Sequence, residues 1–79
     1  MRLDKYLKVS RLVKRRTLAK EVCEGGRINI NGRIAKPGTE VKVGDVLSLD
    51  YGHKVVKIKI LITSQTISVS DASGMYEEI

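Results

Sequence analysis

The sequence predicts an α+β domain in which two N-terminal helices pack on a small, mostly antiparallel sheet. Three observations carry that prediction. Apolar residues recur at helical spacing at Leu3, Tyr6 and Leu7, and again at Leu18, Ala19, Val22 and Cys23. Asn31-Gly32 stands between two alternating segments, the strongest short signal for a two-residue hairpin. The run Val55-Val56-Lys57-Ile58-Lys59-Ile60-Leu61-Ile62 then reads as a longer strand.

The elements follow in order. The first helix buries Leu3, Tyr6 and Leu7 and turns Arg2, Lys5 and Lys8 outward. Val9, Leu12 and Val13 lead across a Ser10-Arg11 connection to a second helix. That helix is expected over about Arg15 to Glu24, with Leu18, Ala19, Val22 and Cys23 packed inward. Gly25-Gly26 stands where a left-handed cap needs a residue without a side chain. Arg27-Ile28-Asn29-Ile30 alternates as a half-buried strand does, and Arg33-Ile34-Ala35 is the return strand before a Lys36-Pro37-Gly38 turn. Val41, Val43, Val46, Leu47 and Leu49 imply further strand structure, broken by a Gly44-Asp45 turn. Tyr51-Gly52-His53 forms the hairpin before the long strand. Residues 1–63 are therefore expected to form the domain with its strand extension, and 64–79 a C-terminal tail. Asp71 offers a cap for a short helical turn holding Met75 and Tyr76, which Gly74 weakens.

Composition narrows the function. Seventy-nine residues enclose one modest core, with little room for a deep catalytic pocket. Phe and Trp are absent and Tyr occurs three times, which argues against gripping unpaired bases on aromatic platforms. The net charge of +6 is unevenly spread. Residues 1–36 carry eleven basic and three acidic side chains, whereas residues 37–79 carry four and six. Such a split concentrates positive potential on one part of the surface, as polyanion binding requires. A single cysteine, Cys23, excludes an internal disulfide and points to a reducing compartment. No apolar run reaches signal-peptide or membrane-span length, so the cytoplasm is the expected location.

The densest feature is Arg11, Lys14, Arg15, Arg16 and Lys20, around the start of the second helix. A helix N-terminus adds free N–H groups and partial positive charge, so phosphate is attracted twice over. Arg16 and Lys20 are i, i+4 neighbours and project from one face. The alternatives are a solvated basic face without a ligand and a membrane surface. The second lacks an apolar face to insert, because the apolar residues are needed for the core.

At these residues the chain resembles a family. Arg2-Leu3-Asp4-Lys5-Tyr6-Leu7, Ser10-Arg11, Arg16, Ala19, Gly26, Ile30-Asn31-Gly32 and Val43-Gly44-Asp45 together resemble the S-four RNA-binding domain, called after a small-subunit ribosomal protein. The resemblance implies that family's alpha-L fold and an rRNA- or tRNA-binding surface across the two helices. Carried over by position, that surface is Arg2, Lys5, Lys8, Arg11, Arg15, Arg16 and Lys20, with Asn31, Arg33 and Lys36 on the hairpin side. Asp4 matches an acidic position that orients neighbouring arginines. Many family members carry Ser or Thr where Arg15 stands, so the second helix either starts later or lacks a side-chain cap.

Stand-alone members of this length resemble factors that act on large ribosomal subunits left carrying a nascent chain and tRNA. The run Lys14–Lys20 and the Gly74-Met75-Tyr76 tail look closer to the ribosome-associated quality-control branch than to the fifteen-kilodalton heat-shock branch, which is longer at its C-terminus. The resemblance thus implies a monomer that binds rRNA of the large subunit and tRNA, beside other quality-control proteins, with no membrane partner. A general rRNA or tRNA binder in ribosome assembly, and a protein–protein adaptor using the basic face, are the rival readings. No catalytic residue, cofactor or metal is expected. His53 lies in a turn, Cys23 lies on an apolar stripe, and no nucleophile–base pair can be assembled.

Overall fold

The computed structural model describes residues 1–63 and 74–79. Helix α1 spans Leu3–Val9 and α2 spans Arg16–Glu24. They precede strands β1 (Ile28–Ile30), β2 (Arg33–Ile34), β3 (Val46–Asp50), β4 (Val55–Ile60) and β5 (Tyr76–Glu78). The strands form one antiparallel sheet in the order β2-β1-β3-β4-β5. The α+β expectation holds, with both helices preceding the sheet.

The core is aliphatic. Leu3, Tyr6 and Leu7 of α1 and Ala19 and Cys23 of α2 meet Ile28, Leu47, Leu49, Ile58 and Ile60 from the sheet. Each large side chain withdrawn from water contributes about 1.5–3 kcal/mol, and the ordering of the chain offsets most of that sum. Leu18 departs from the expectation, being 45% exposed. The apolar stripe of α2 is wider than its contact with the sheet, so Ala19 and Cys23 take the centre and Leu18 falls on the flank.

Both glycine signals behave as the backbone requires. Gly26 (φ 74°) is left-handed, Arg27 N–H donates to Val22 O at 3.3 Å and Gly26 N–H to Cys23 O at 3.0 Å. That pair of bonds is the Schellman arrangement, which satisfies the last carbonyls of α2. In the hairpin, Asn31 (φ 50°) and Gly32 (φ 85°) are both left-handed, and Ile30 pairs with Arg33 across them. This is a type I′ turn.

Several expectations change. Val41 and Val43 are not in a strand: Val41 is buried and its N–H donates to Met1 O at 2.9 Å, while Val43 is exposed on a turn. Strand β4 stops at Ile60, because the N–H groups of Leu61 and Ile62 both turn to Met75 O, at 2.8 and 3.1 Å. Gly74 and Met75 lie in a 3-10 helical turn, as expected for Met75, but Tyr76 lies in β5, where it pairs with Ile60. The β4 edge offers three ladder partners, and the fully buried Met75 anchors the segment in the core. The Asp71 cap lies outside the described residues. Tyr6 Oη donates to Met75 O at 2.9 Å, which ties α1 to this last segment. Burial, reinforced by Tyr76, pushes the Tyr6 hydroxyl above the usual phenol range, so it remains a proton donor.

Gly32→Val tests the turn. A β-branched residue at that φ costs about 1–3 kcal/mol. At about 4–8 °C per kcal/mol for a domain of this size, the melting midpoint should fall clearly. An unchanged midpoint in thermal unfolding would show that the turn does not constrain the fold.

Candidate nucleic-acid interface

Asp4 organises the basic face from below. It sits in the first turn of α1, where a carboxylate is favoured by the helix dipole, and is only 3% exposed. The first N–H groups of α1 are closed off from any ligand. Leu3 N–H donates to Thr39 O at 2.8 Å, Asp4 N–H to Pro37 O at 3.1 Å and Lys5 N–H to Asp4 Oδ1 at 2.8 Å. The loop after β2 therefore caps the first two N–H groups of α1 with its carbonyls and the Asp4 carboxylate takes the third, in place of a side-chain cap from Arg2.

The same carboxylate holds two arginines from two elements. Arg2 donates through Nε to Oδ1 and through Nη2 to Oδ2, both at 3.2 Å, side-on and bidentate. Arg16 of α2 approaches Oδ1 with Nη2 at 3.6 Å. The arginine side chains are themselves half exposed, 56% and 50%, so these pairs add little net stability. What they supply is position: the Arg2 guanidinium is held by two hydrogen bonds and that of Arg16 lies within ion-pair reach of the same carboxylate, both open to solvent. Arg2 also passes over Gly38, where an added Cβ would lie 3.8 Å from Nη2, in ordinary contact.

Two open clefts flank this pair. One, of about 430 Å³, is lined by Met1, Arg2, Lys5, Arg16, Gly38 and Glu40. The other, of about 310 Å³, is lined by Arg2, Asp4, Arg16, Thr17 and Lys20. Arg16 and Lys20 share the second cleft, as their helical spacing predicts. The N–H groups of Arg16, Thr17 and Leu18 have no acceptor among the described residues, so the α2 terminus stays open where the α1 terminus is closed. Helix α2 starts at Arg16 and its N-cap Arg15 makes no side-chain cap, so both readings of the missing Ser or Thr hold together.

The remaining expected residues are distributed as follows. Lys8 lies in the last turn of α1, and Arg11, Lys14 and Arg15 are exposed along the connection to α2. Arg11 adopts φ 66°, a left-handed conformation that is unfavourable for a residue with a Cβ. Arg33 is exposed on the edge strand β2, and Lys36 opens the turn closed by Thr39 N–H to Lys36 O at 3.0 Å. Neither Arg33, Lys36 nor Asn31 lines the two clefts. The Asn31 amide is instead committed to the fold, through Nδ2 to Asp45 Oδ1 at 3.1 Å and from Val46 N–H to its Oδ1 at 2.9 Å.

Thr17, Gly38 and Glu40 line the clefts, and sequence reasoning does not single them out. Thr17 is one residue beyond Arg16, which is signal enough, but the loop residues become visible only once Pro37 and Thr39 cap α1. Among the described residues no group of three or more His, Cys, Asp and Glu is placed to hold a metal ion. Cys23 is buried, and burial together with the carboxylates of Asp4 and Glu24 pushes its thiol up to about 11, so it is protonated and inert at neutral pH.

Known proteins share this architecture. Residues 1–47 match the S4 domain. Over 77 residues the chain is 58% identical to a Halalkalibacterium halodurans protein named RQC P-site tRNA stabilizing factor, covering 98% of this chain and 88% of that one. It is 40% identical over 80 residues to Escherichia coli heat shock protein 15, covering 99% of this chain and 59% of that protein. The trimeric structure of Vibrio cholerae heat shock protein 15 superposes with a TM-score of 0.91 at 36% identity, over 100% of this chain and 81% of that one. The match takes in both helices, the Asp4-held arginines and the β1–β2 hairpin, and the chain belongs to the S4 domain family.

Proposed function

We propose that this chain is a non-enzymatic RNA-binding protein that docks on rRNA of the large ribosomal subunit and on tRNA, in quality control of stalled nascent-chain complexes. It works in the cytoplasm, on the ribosome, as a single copy. The observation that carries the reading is the buried Asp4 carboxylate, which hydrogen-bonds Arg2 and pairs with Arg16 beside the open N-terminus of α2. The name of the Halalkalibacterium halodurans relative supports the same class of partner.

The geometry gives a physical route to binding. A planar guanidinium meets phosphate oxygens with two parallel N–H bonds, and these charge-assisted bonds are the strong ones. Holding the side chains in place beforehand lowers the ordering cost that association otherwise carries. Lys5, Lys20, Lys14 and Arg15 extend the positive surface on either side, and Lys8 and Arg11 continue it along the connection. Tyr6 is buried on the core side of α1 and no tyrosine lines the two clefts, so the face fits folded RNA shape and backbone rather than splayed bases. The protein's contribution is to stabilise the position of tRNA on the subunit, with no bond made or broken.

Arg16→Ala should weaken binding far more than Lys57→Ala. Lys57 is exposed on β4, whose outward residues face away from the helices. The loss of one arginine–phosphate contact corresponds to about 1–3 kcal/mol, or roughly five- to 150-fold in a gel-shift titration. Equal effects from the two substitutions would remove the assignment of this face.

A salt series with a competition separates the ribosomal reading from its rivals. Contact with about four to six phosphates gives a slope of log affinity against log salt of about −3 to −5. An apolar adaptor interface should show little such dependence, and an adaptor complex that uses the basic face, though salt-sensitive, should survive nuclease treatment of a lysate. Purified large subunits or structured rRNA should outcompete an unstructured homopolymer of similar charge. Equal competition at physiological salt would reduce the face to a generic polyanion binder.

A further inference from the structure

Asn31 is exposed to water, precedes the least hindered residue type, and yet has both polar atoms of its side-chain amide hydrogen-bonded within the fold. Asparagine before glycine is open to an intramolecular reaction. The Gly32 backbone nitrogen forms a bond to Asn31 Cγ, the Cγ–Nδ2 bond breaks and ammonia leaves, and water then opens the five-membered imide ring. Opening at one carbonyl gives aspartate, and at the other isoaspartate, in which the backbone runs through the former side chain. Ring closure needs the Asn31 side chain free to turn onto the Gly32 nitrogen, and its two hydrogen bonds oppose that motion. Nδ2 is held by Asp45 Oδ1 at 3.1 Å, and Oδ1 by the Val46 N–H at 2.9 Å. No atom crowds Gly32, since nothing lies within 4 Å of where its Cβ would be. Burial and crowding therefore give no protection here, which leaves the hydrogen bonds and the turn backbone they brace as the restraint on the reaction.

The product cannot rebuild the arrangement. A donor aimed at Asp45 becomes a carboxylate oxygen facing Asp45 Oδ1, and like charges at that distance repel. Asp45 is itself a junction: its Oδ2 accepts Lys42 N–H at 2.9 Å and its carbonyl accepts Ile60 N–H at 2.9 Å. Isoaspartate adds a backbone atom to a two-residue turn whose register is fixed by Ile30 opposite Arg33. Loss of the turn therefore reaches the 42–45 turn and the end of β4.

We propose that Asn31-Gly32 is a deamidation site that the native hydrogen bonds to Asp45 and Val46 keep shut, and that conversion there irreversibly marks molecules that have opened.

Peptide mapping by mass spectrometry in warm, mildly alkaline buffer tests this. Asn31 in the folded protein should convert at least about tenfold more slowly than in denaturant, since only the locally opened fraction reacts. Asp45→Ala, assayed where circular dichroism shows the variant folded, should convert faster than the parent. Equal rates in folded and denatured protein, or an Asp45→Ala variant that converts no faster, would overturn the proposal. A second readout does not depend on the reaction rate. Asn31→Asp should lower the melting midpoint at neutral pH, and the same change should cost much less in an Asp45→Asn background. An equal cost in both backgrounds would show that the Asn31–Asp45 contact is not what conversion breaks.

Discussion

A carboxylate withdrawn from water must be compensated, and in this fold the compensation sets the arrangement of nearly everything around it. Asp4 is reached by its own neighbour's N–H, by Arg2 on the chain before α1, and by Arg16 on α2. These contacts link α1 to α2 at their N-terminal ends, while Leu3, Tyr6 and Leu7 below them close the core. Because the arginines keep about half of their surface in water, the ion pairs are poor devices for stability alone. They are good devices for geometry, since a desolvated carboxylate permits few positions for its partners. The contrast between the helix termini follows from the same corner. Loop carbonyls close the α1 terminus, and the N–H groups of the α2 terminus beside Arg16 are left without an acceptor among the described residues.

The acidic half of the chain is a scaffold for this corner. Its strands β3 and β4 supply Leu47, Leu49, Ile58 and Ile60 to the core, and β5 extends the sheet at the β4 edge. Met75 completes the core, and its carbonyl accepts from Tyr6 Oη and from the N–H groups of Leu61 and Ile62. A domain with so small an interior depends on such a non-local closure. The left-handed Arg11 goes the other way, placing a charged side chain where glycine would be less strained.

What the sequence makes legible is local. Helical spacing locates both helices, Gly25-Gly26 locates the end of α2, and Asn31-Gly32 gives the hairpin with its register. Charge distribution points to the face that Arg2, Lys5, Arg16 and Lys20 share around the clefts. The misses are non-local. Periodicity shows that α2 has an apolar stripe but not how wide its neighbour is, so it places Leu18 inward when the side chain lies on the flank. The valines at 41 and 43 alternate like a strand, yet the N–H of Val41 is taken by Met1. The Tyr76–Glu78 pairing depends on an edge that β4 offers only after folding. Asn31 reads as a turn residue, but the fate of its amide is decided by Asp45 and Val46, fourteen and fifteen residues on.

The most direct test of the organising role of Asp4 is the affinity of an Asp4→Asn variant for purified large ribosomal subunits, measured at fixed salt with its helical content checked by circular dichroism. The substitution makes the protein more positive by one charge, so simple attraction to a polyanion would tighten binding. An arginine pair positioned by Asp4 requires the reverse, a loss of about tenfold, because an amide holds two guanidinium groups less firmly than a carboxylate does. Binding that is unchanged or tighter in a folded Asp4→Asn protein would contradict that organising role.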